Sequence, residues 1–160
     1  MIRIKVIKPL KAITASKFQT GVRRGLQNSK QYLVGNKGNN SGLIKREMMQ
    51  PKTGNTYVTS RKGKKKYHTA SNSSGNESSA IFTGRLKNSI SGLVTGSNRL
   101  IISANTPYAR LQENGGISYS GYRPQDKGPY KVGPRNNLRR PIESSVGQIK
   151  NIIRREINKY

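Results

Sequence analysis

The sequence predicts an α+β fold: a small antiparallel β-sheet packed with a long N-terminal helix and a C-terminal amphipathic helix. Three observations predict it. Apolar residues recur at helical spacing in the first and last parts of the chain, from Leu10 to Leu33 and from Ile142 to Ile157. Short β-rich pieces separated by Gly, Asn and Ser turns lie between them. The implied order, β-α-(α)-β-β-α-β-β-α-α, has no regular βαβ alternation and so favours helices laid on an antiparallel sheet.

The elements follow in order. Residues 2–7 alternate apolar Ile2, Ile4 and Val6 with Arg3 and Lys5, a short strand that Pro9 ends. Phe18, Val22 and Leu26 stand at successive i+4 steps within a helix read from about Leu10 to Leu33. Gly21 and Gly25 weaken its middle by up to about 1 kcal/mol each, which points to a kink or to a close approach by another backbone. Gly35 is its stop and opens a loop over 35–42. Leu43 to Gln50 makes two turns at most before Pro51, and residues 52–55 form a turn. Tyr57–Thr59 and Tyr67–Thr69 read as β pieces joined by the basic run 61–66, with Gly63 at the hairpin tip. Residues 71–79 are an irregular Ser/Asn/Gly loop. Thr83 caps a helix over Gly84 to about Ser89, with Leu86 and Ile90 on one face. Ile90–Thr95 and Leu100–Ser103 form a hairpin across residues 96–98, and its register decides whether Ile102 is buried. Pro107 at the first helical position opens a turn over Tyr108–Asn114 that Gly115 and Gly116 close. Residues 115–137 lack periodicity and read as a long loop. Ile142, Val146, Ile149, Ile153 and Ile157 define an amphipathic helix from about Arg140 to Asn158.

The 160 residues suit a single domain over 1–160 with long loops at about 35–42, 60–80 and 115–137. Only 31% of residues are hydrophobic, and 31 Lys and Arg oppose 6 Asp and Glu for a net charge of +25. A thin core with strong self-repulsion predicts a chain stabilised by partners. With no Cys and one histidine, His68, the sequence offers no disulfide, Cys-ligated metal, His cluster or triad. The six carboxylates are scattered, so no catalytic, cofactor-binding or metal-binding residues are expected and the chain is not read as an enzyme. No apolar run approaches the ~20 residues of a membrane span, and Met1 to Leu10 lacks a signal peptide's apolar stretch. The expectation is a cytosol-like compartment and no membrane partner. A pI near 11.0 points to a polyanion or an acidic protein surface.

Two passages carry a resemblance. Thr83-Gly84-Arg85-Leu86-Lys87-Asn88-Ser89-Ile90 is similar to a "T-G-x-L-x-x-S-I" segment, and Pro107-Tyr108-Ala109-Arg110-Leu111-Gln112-Glu113-Asn114-Gly115-Gly116 to a "P-Y-A-x-x-x-E-x-G" segment. Both belong, in this order and across a β-hairpin, to a family of tailed-bacteriophage neck proteins, also called head–tail joining or tail-completion-like proteins. Weaker echoes flank them. Gln50 to Tyr57 resembles the family's "P-K-[ST]-G-x-x-Y" piece. Ala70 to Glu77 stands where "A-S-A-P-G-E" occurs, without the Pro. Pro134 to Ile142 stands where an aromatic-containing "R-P-F-L-x-P-A" occurs, with Asn in place of the Phe. The resemblance spans roughly residues 43–158.

The resemblance implies a non-enzymatic virion protein, assembled in the host cytoplasm, that forms a homo-oligomeric ring at the head–tail junction. Its partners would be other neck, portal–connector and tail proteins, with genomic DNA in the channel as a further candidate. Thr83, Gly84, Arg85, Leu86, Tyr108, Arg110, Glu113, Tyr119 and Tyr122 are the candidates for subunit contacts. A capped helix packed on a sheet also accounts for Thr83 to Leu86 as scaffold. Glu113 sits at the helix end that disfavours negative charge, which points to a specific cation, Arg110 or an Arg of an adjacent subunit; an ordinary solvated or intrachain pair is the other reading. Tyr119 and Tyr122, with Arg123 and Tyr130, would stack on a partner or cover the core.

Arg61, Lys62, Lys64, Lys65, Lys66, Arg139, Arg140, Arg154 and Arg155 are the candidates for contact with DNA or an acidic surface. The run 61–66 has no aromatic before Tyr67, so its binding would be sequence-blind and salt-sensitive. The competing reading is a basic, ribosomal-protein-like RNA binder. It accounts for size and charge but leaves the paired segments unexplained, and neither an aromatic RNP segment nor a KH-type clamp is present.

Overall fold

The computed structural model describes residues 14–36, 41–53, 56–61, 64–69, 84–118 and 129–160. The predicted strand at 2–7, the loop at 71–79, and Lys62, Thr83, Tyr119 and Tyr122 lie outside the described residues. The fold is α+β. The helices are α1 (Ala15–Val34), α2 (Leu43–Met49), α3 (Arg85–Ser89), α4 (Ala109–Asn114), α5 (Arg139–Ser144) and α6 (Val146–Ile157). The strands are β1 (Thr56–Arg61), β2 (Lys64–Thr69), β3 (Ile90–Thr95), β4 (Arg99–Ala104), β5 (Gly116–Ser118) and β6 (Tyr130–Val132). Among the described residues they pair as three separate antiparallel hairpins, β1–β2, β3–β4 and β5–β6. The chain gathers into two compact units. One is built around α1, β3–β4, α5 and α6, the other around β1–β2, α3, α4 and β5–β6.

In the first unit, α1 starts where Thr14 Oγ1 accepts the Lys17 N–H at 3.4 Å. It ends at Gly35, whose φ of 78° and N–H bond to the Gln31 carbonyl make it the predicted stop. Val22, Leu26, Ser29, Leu33 and Val34 are buried along one side. The two mid-helix glycines are there for close approach. A Cβ on Gly21 would lie 2.9 Å from Ile157 Cα, and one on Gly25 would lie 2.7 Å from Ile153 Cα. This pairing runs α6 antiparallel to α1 and seats Ile149, Ile153 and Ile157 in the core. Ser29, one turn beyond Gly25, is fully buried and returns its hydroxyl to the Gly25 carbonyl at 2.7 Å.

The β3–β4 register pairs Ile90 with Ala104 and Thr95 with Arg99. Ile90 and Leu100 are buried. Gly92 pairs with Ile102 and lies under α1: a Cβ there would be 2.9 Å from Lys30 Cγ and 3.1 Å from Ile102 Cδ1. The register therefore puts Ile102 on the helix side, half-buried. On the opposite face the Ser91 and Ser103 hydroxyls stand 3.1 Å apart, and Leu93 is exposed opposite Ile101.

The single C-terminal helix expected over 140–158 is two helices. Ser145 interrupts it: its hydroxyl donates to the Ile142 carbonyl at 3.1 Å, and its N–H takes the same carbonyl at 3.2 Å. A serine that satisfies the backbone locally competes with the regular ladder, and Gly147 weakens the turn that follows. The expected apolar stripe is otherwise in place, except that Val146 lies at the surface.

In the second unit, Arg61 pairs with Lys64, so the expected β pieces extend farther toward the tip than residues 59 and 67. Gly84 has φ 70°, and its carbonyl accepts the Asn88 N–H at 2.8 Å. The helix α3 ends at Ser89, so Ile90 does not share a helical face with Leu86; it begins β3. Tyr108 holds the cap position of α4, and Pro107 stands one residue before it instead of at the first helical position. Gly115, φ 72°, closes α4 with its N–H on the Leu111 carbonyl. The expected loop over 115–137 contains two short strands: Gly116 pairs with Val132 and Ser118 with Tyr130, while 133–137 has no regular structure. Three-residue strands this far apart in sequence leave no periodicity to read.

Candidate functional site

The two segments that carry the family resemblance flank the β3–β4 hairpin in sequence. Just outside its last pair, the Asn105 N–H donates to the Ser89 carbonyl at 3.2 Å. Arg85 and Arg110 are exposed, Leu86 is buried, and Tyr108 and Glu113 are half-buried. Arg85 and Glu113 each engage partners within the protein. The C-terminal carbonyls of α4 are also satisfied: Gln112 accepts the Arg135 N–H at 2.9 Å and Glu113 the Asn136 N–H at 3.4 Å. Asn136 holds φ 49°, a left-handed backbone that Asn tolerates and proline cannot adopt. Asn137, the residue in place of the aromatic, is buried.

The basic candidates divide into three groups. Arg61, Lys64, Lys65 and Lys66 lie on β1–β2, where the register sets Arg61 against Lys64. Lys65 is exposed, as are Val58 and Tyr67, which pair across the strands. Arg139 is held by Glu143 at 2.9 Å, and Arg140 has partners of its own. Arg154 and Arg155 are exposed on α6.

The charge imbalance is sharpest in the first unit. Its described residues carry thirteen Lys or Arg against two acids, Glu143 and Glu156. Both acids are taken by cations of the same helical segment, Glu143 by Arg139 and the buried Glu156 by Lys159. Arg24 sits 5.5 Å from the Tyr160 ring centroid. Among the described residues, Lys17, Arg23, Arg99, Lys150, Arg154 and Arg155 have no ion pair.

Sequence reasoning missed a polar hollow of about 250 Å³ between α1 and the β3–β4 turn, lined by Ser16, Gln19, Thr20, Arg23, Gly96 and Ser97. No signal in the sequence joins residues 16–23 to a turn more than seventy positions later. Among the described residues no group of three His, Cys, Asp or Glu side chains gathers to hold a metal ion, and no helix is long and apolar enough to cross a membrane. No family model, curated protein or solved structure matches the chain.

Proposed function

We propose that this chain is a structural subunit of a tailed-phage virion, a ring-forming neck protein that joins the portal–connector of the head to the tail. One observation carries the reading. The segments 83–90 and 107–116 resemble a neck-protein motif pair in the family's order on either side of a β-hairpin, with Asn105, two residues before the second segment, bonded to Ser89 of the first, and with Arg85 and Arg110 at the surface. In this reading the protein is not an enzyme and uses no cofactor. It assembles in the host cytoplasm and works at the head–tail junction, against other neck, connector and tail proteins.

The alternative, a basic RNA-binding protein, is favoured by the thirteen-to-two excess of cations in the first unit. Removing the chain from the phage separates the two. A neck subunit leaves DNA-filled heads and finished tails that do not join, and added protein restores the joint. Intact, infectious particles formed without it would refute the proposal.

A further inference from the structure

One face of the first unit has a composition suited to a single kind of partner. Along α6 and the turn after it, the exposed positions from 147 to 159 hold only Gly, Gln, Asn, Lys and Arg. The apolar side chains near this face are the half-buried Ile152 and, at the start of α6, the exposed Val146, because Ile149, Ile153 and Ile157 turn into the core. Gln148, Lys150, Asn151, Arg154, Arg155 and Asn158 are all hydrogen-bond donors. Lys150, Arg154 and Arg155 carry charge without an acid partner among the described residues. The acid of this helix, Glu156, is buried and committed to Lys159.

We propose that this face of α6 binds the phosphate backbone of double-stranded DNA without reading its sequence. Cations and amides are the groups that contact phosphates in protein–DNA complexes. An acidic protein would fit the charge, and Arg can anchor protein contacts, but the aromatic anchors that such contacts favour are absent from the exposed positions 147–159. A single strand would need aromatic platforms for its bases, which the face also lacks. Twelve helical residues extend about 18 Å, a length over which a duplex carries roughly ten phosphate charges on its two strands together. The inference holds whether or not the chain is a neck subunit, since it concerns one helix face and not ring formation.

The test uses the full chain, stripped of nucleic acid by nuclease and high salt. A labelled random-sequence duplex is titrated by fluorescence anisotropy across a salt series, beside single-stranded RNA and polyglutamate. Duplex DNA is expected to bind tightest, with an affinity that falls steeply with salt. Lys150→Gln, Arg154→Gln and Arg155→Gln together should lower the salt slope by about 2 to 3 and the affinity by roughly tenfold or more. Single replacements, each lowering the slope by about 0.9, carry the same test if the triple variant does not fold. The charge-preserving set Lys150→Arg, Arg154→Lys and Arg155→Lys should bind like the wild type. Polyglutamate or single-stranded RNA binding as tightly as the duplex, or neutral α6 variants with unchanged affinity and slope, would overturn the proposal.

Discussion

Gly25 and Gly147 are both helical glycines, and the structure assigns them opposite roles. A Cβ on Gly25 would meet the Ile153 Cα at 2.7 Å, a backbone atom that cannot swing aside; one on Gly147 would meet nothing within 4 Å. Alanine gains up to about 1 kcal/mol of helix propensity at either site. At Gly25 the overpacking costs about 1–3 kcal/mol and exceeds that gain. Gly25→Ala should therefore lower stability by about 1–2 kcal/mol while Gly147→Ala raises it by about 0.5–1 kcal/mol, read from urea midpoints at constant m. Destabilisation of similar size at both positions would mean that α6 does not sit on α1 as described. The sequence carried half of this. Two glycines four residues apart in an amphipathic helix point to a kink or to a close approach, and nothing in the spacing chooses between them or names Ile153 and Ile157 as the approaching residues.

At the level of elements, legibility followed periodicity. The helix α1 and the Ile149–Ile153–Ile157 stripe span several turns, so their apolar faces stand out of the sequence. The β3–β4 hairpin was legible from its turn residues, yet its register, and with it the place of Ile102, required the helix above Gly92. Two elements were hidden for physical reasons. The β5–β6 pair is three residues per strand, and Ser145 breaks the last helix through side-chain hydrogen bonding that propensity does not encode. The stripe carries the stability: Ile149 is fully buried, and Ile149→Ala should cost about 2–5 kcal/mol in chemical denaturation. The Arg139–Glu143 pair is more than half exposed at both ends. Glu143→Gln should change stability by less than about 1 kcal/mol. An Ile149→Ala cost as small as that of Glu143→Gln would contradict the placement of α6 in the core.

For the whole molecule the governing quantity is a net charge of +25 on 160 residues. The charge is plain in the sequence; its arrangement is not. Only the fold reveals that the described acids of the first unit are consumed by near neighbours, leaving exposed cations on α1, β4 and α6 to repel one another. Salt screens such repulsion within about 10 Å at 0.1 M ionic strength, so the melting temperature should rise as salt is added. A melting temperature that falls with salt would show that the described ion pairs, and not the excess charge, dominate the electrostatics. The same repulsion would hold free subunits apart until a partner compensates it, which fits a protein that assembles on a template. The most direct measurement of that account is the mass, by size-exclusion chromatography with light scattering, of nuclease-treated, salt-stripped protein with and without a portal–connector complex. The account predicts a nucleic-acid-free ring, or a monomer that forms a stoichiometric ring on the connector. A chain that stays monomeric in both conditions and rebinds ribosomal RNA in preference to duplex DNA would contradict it.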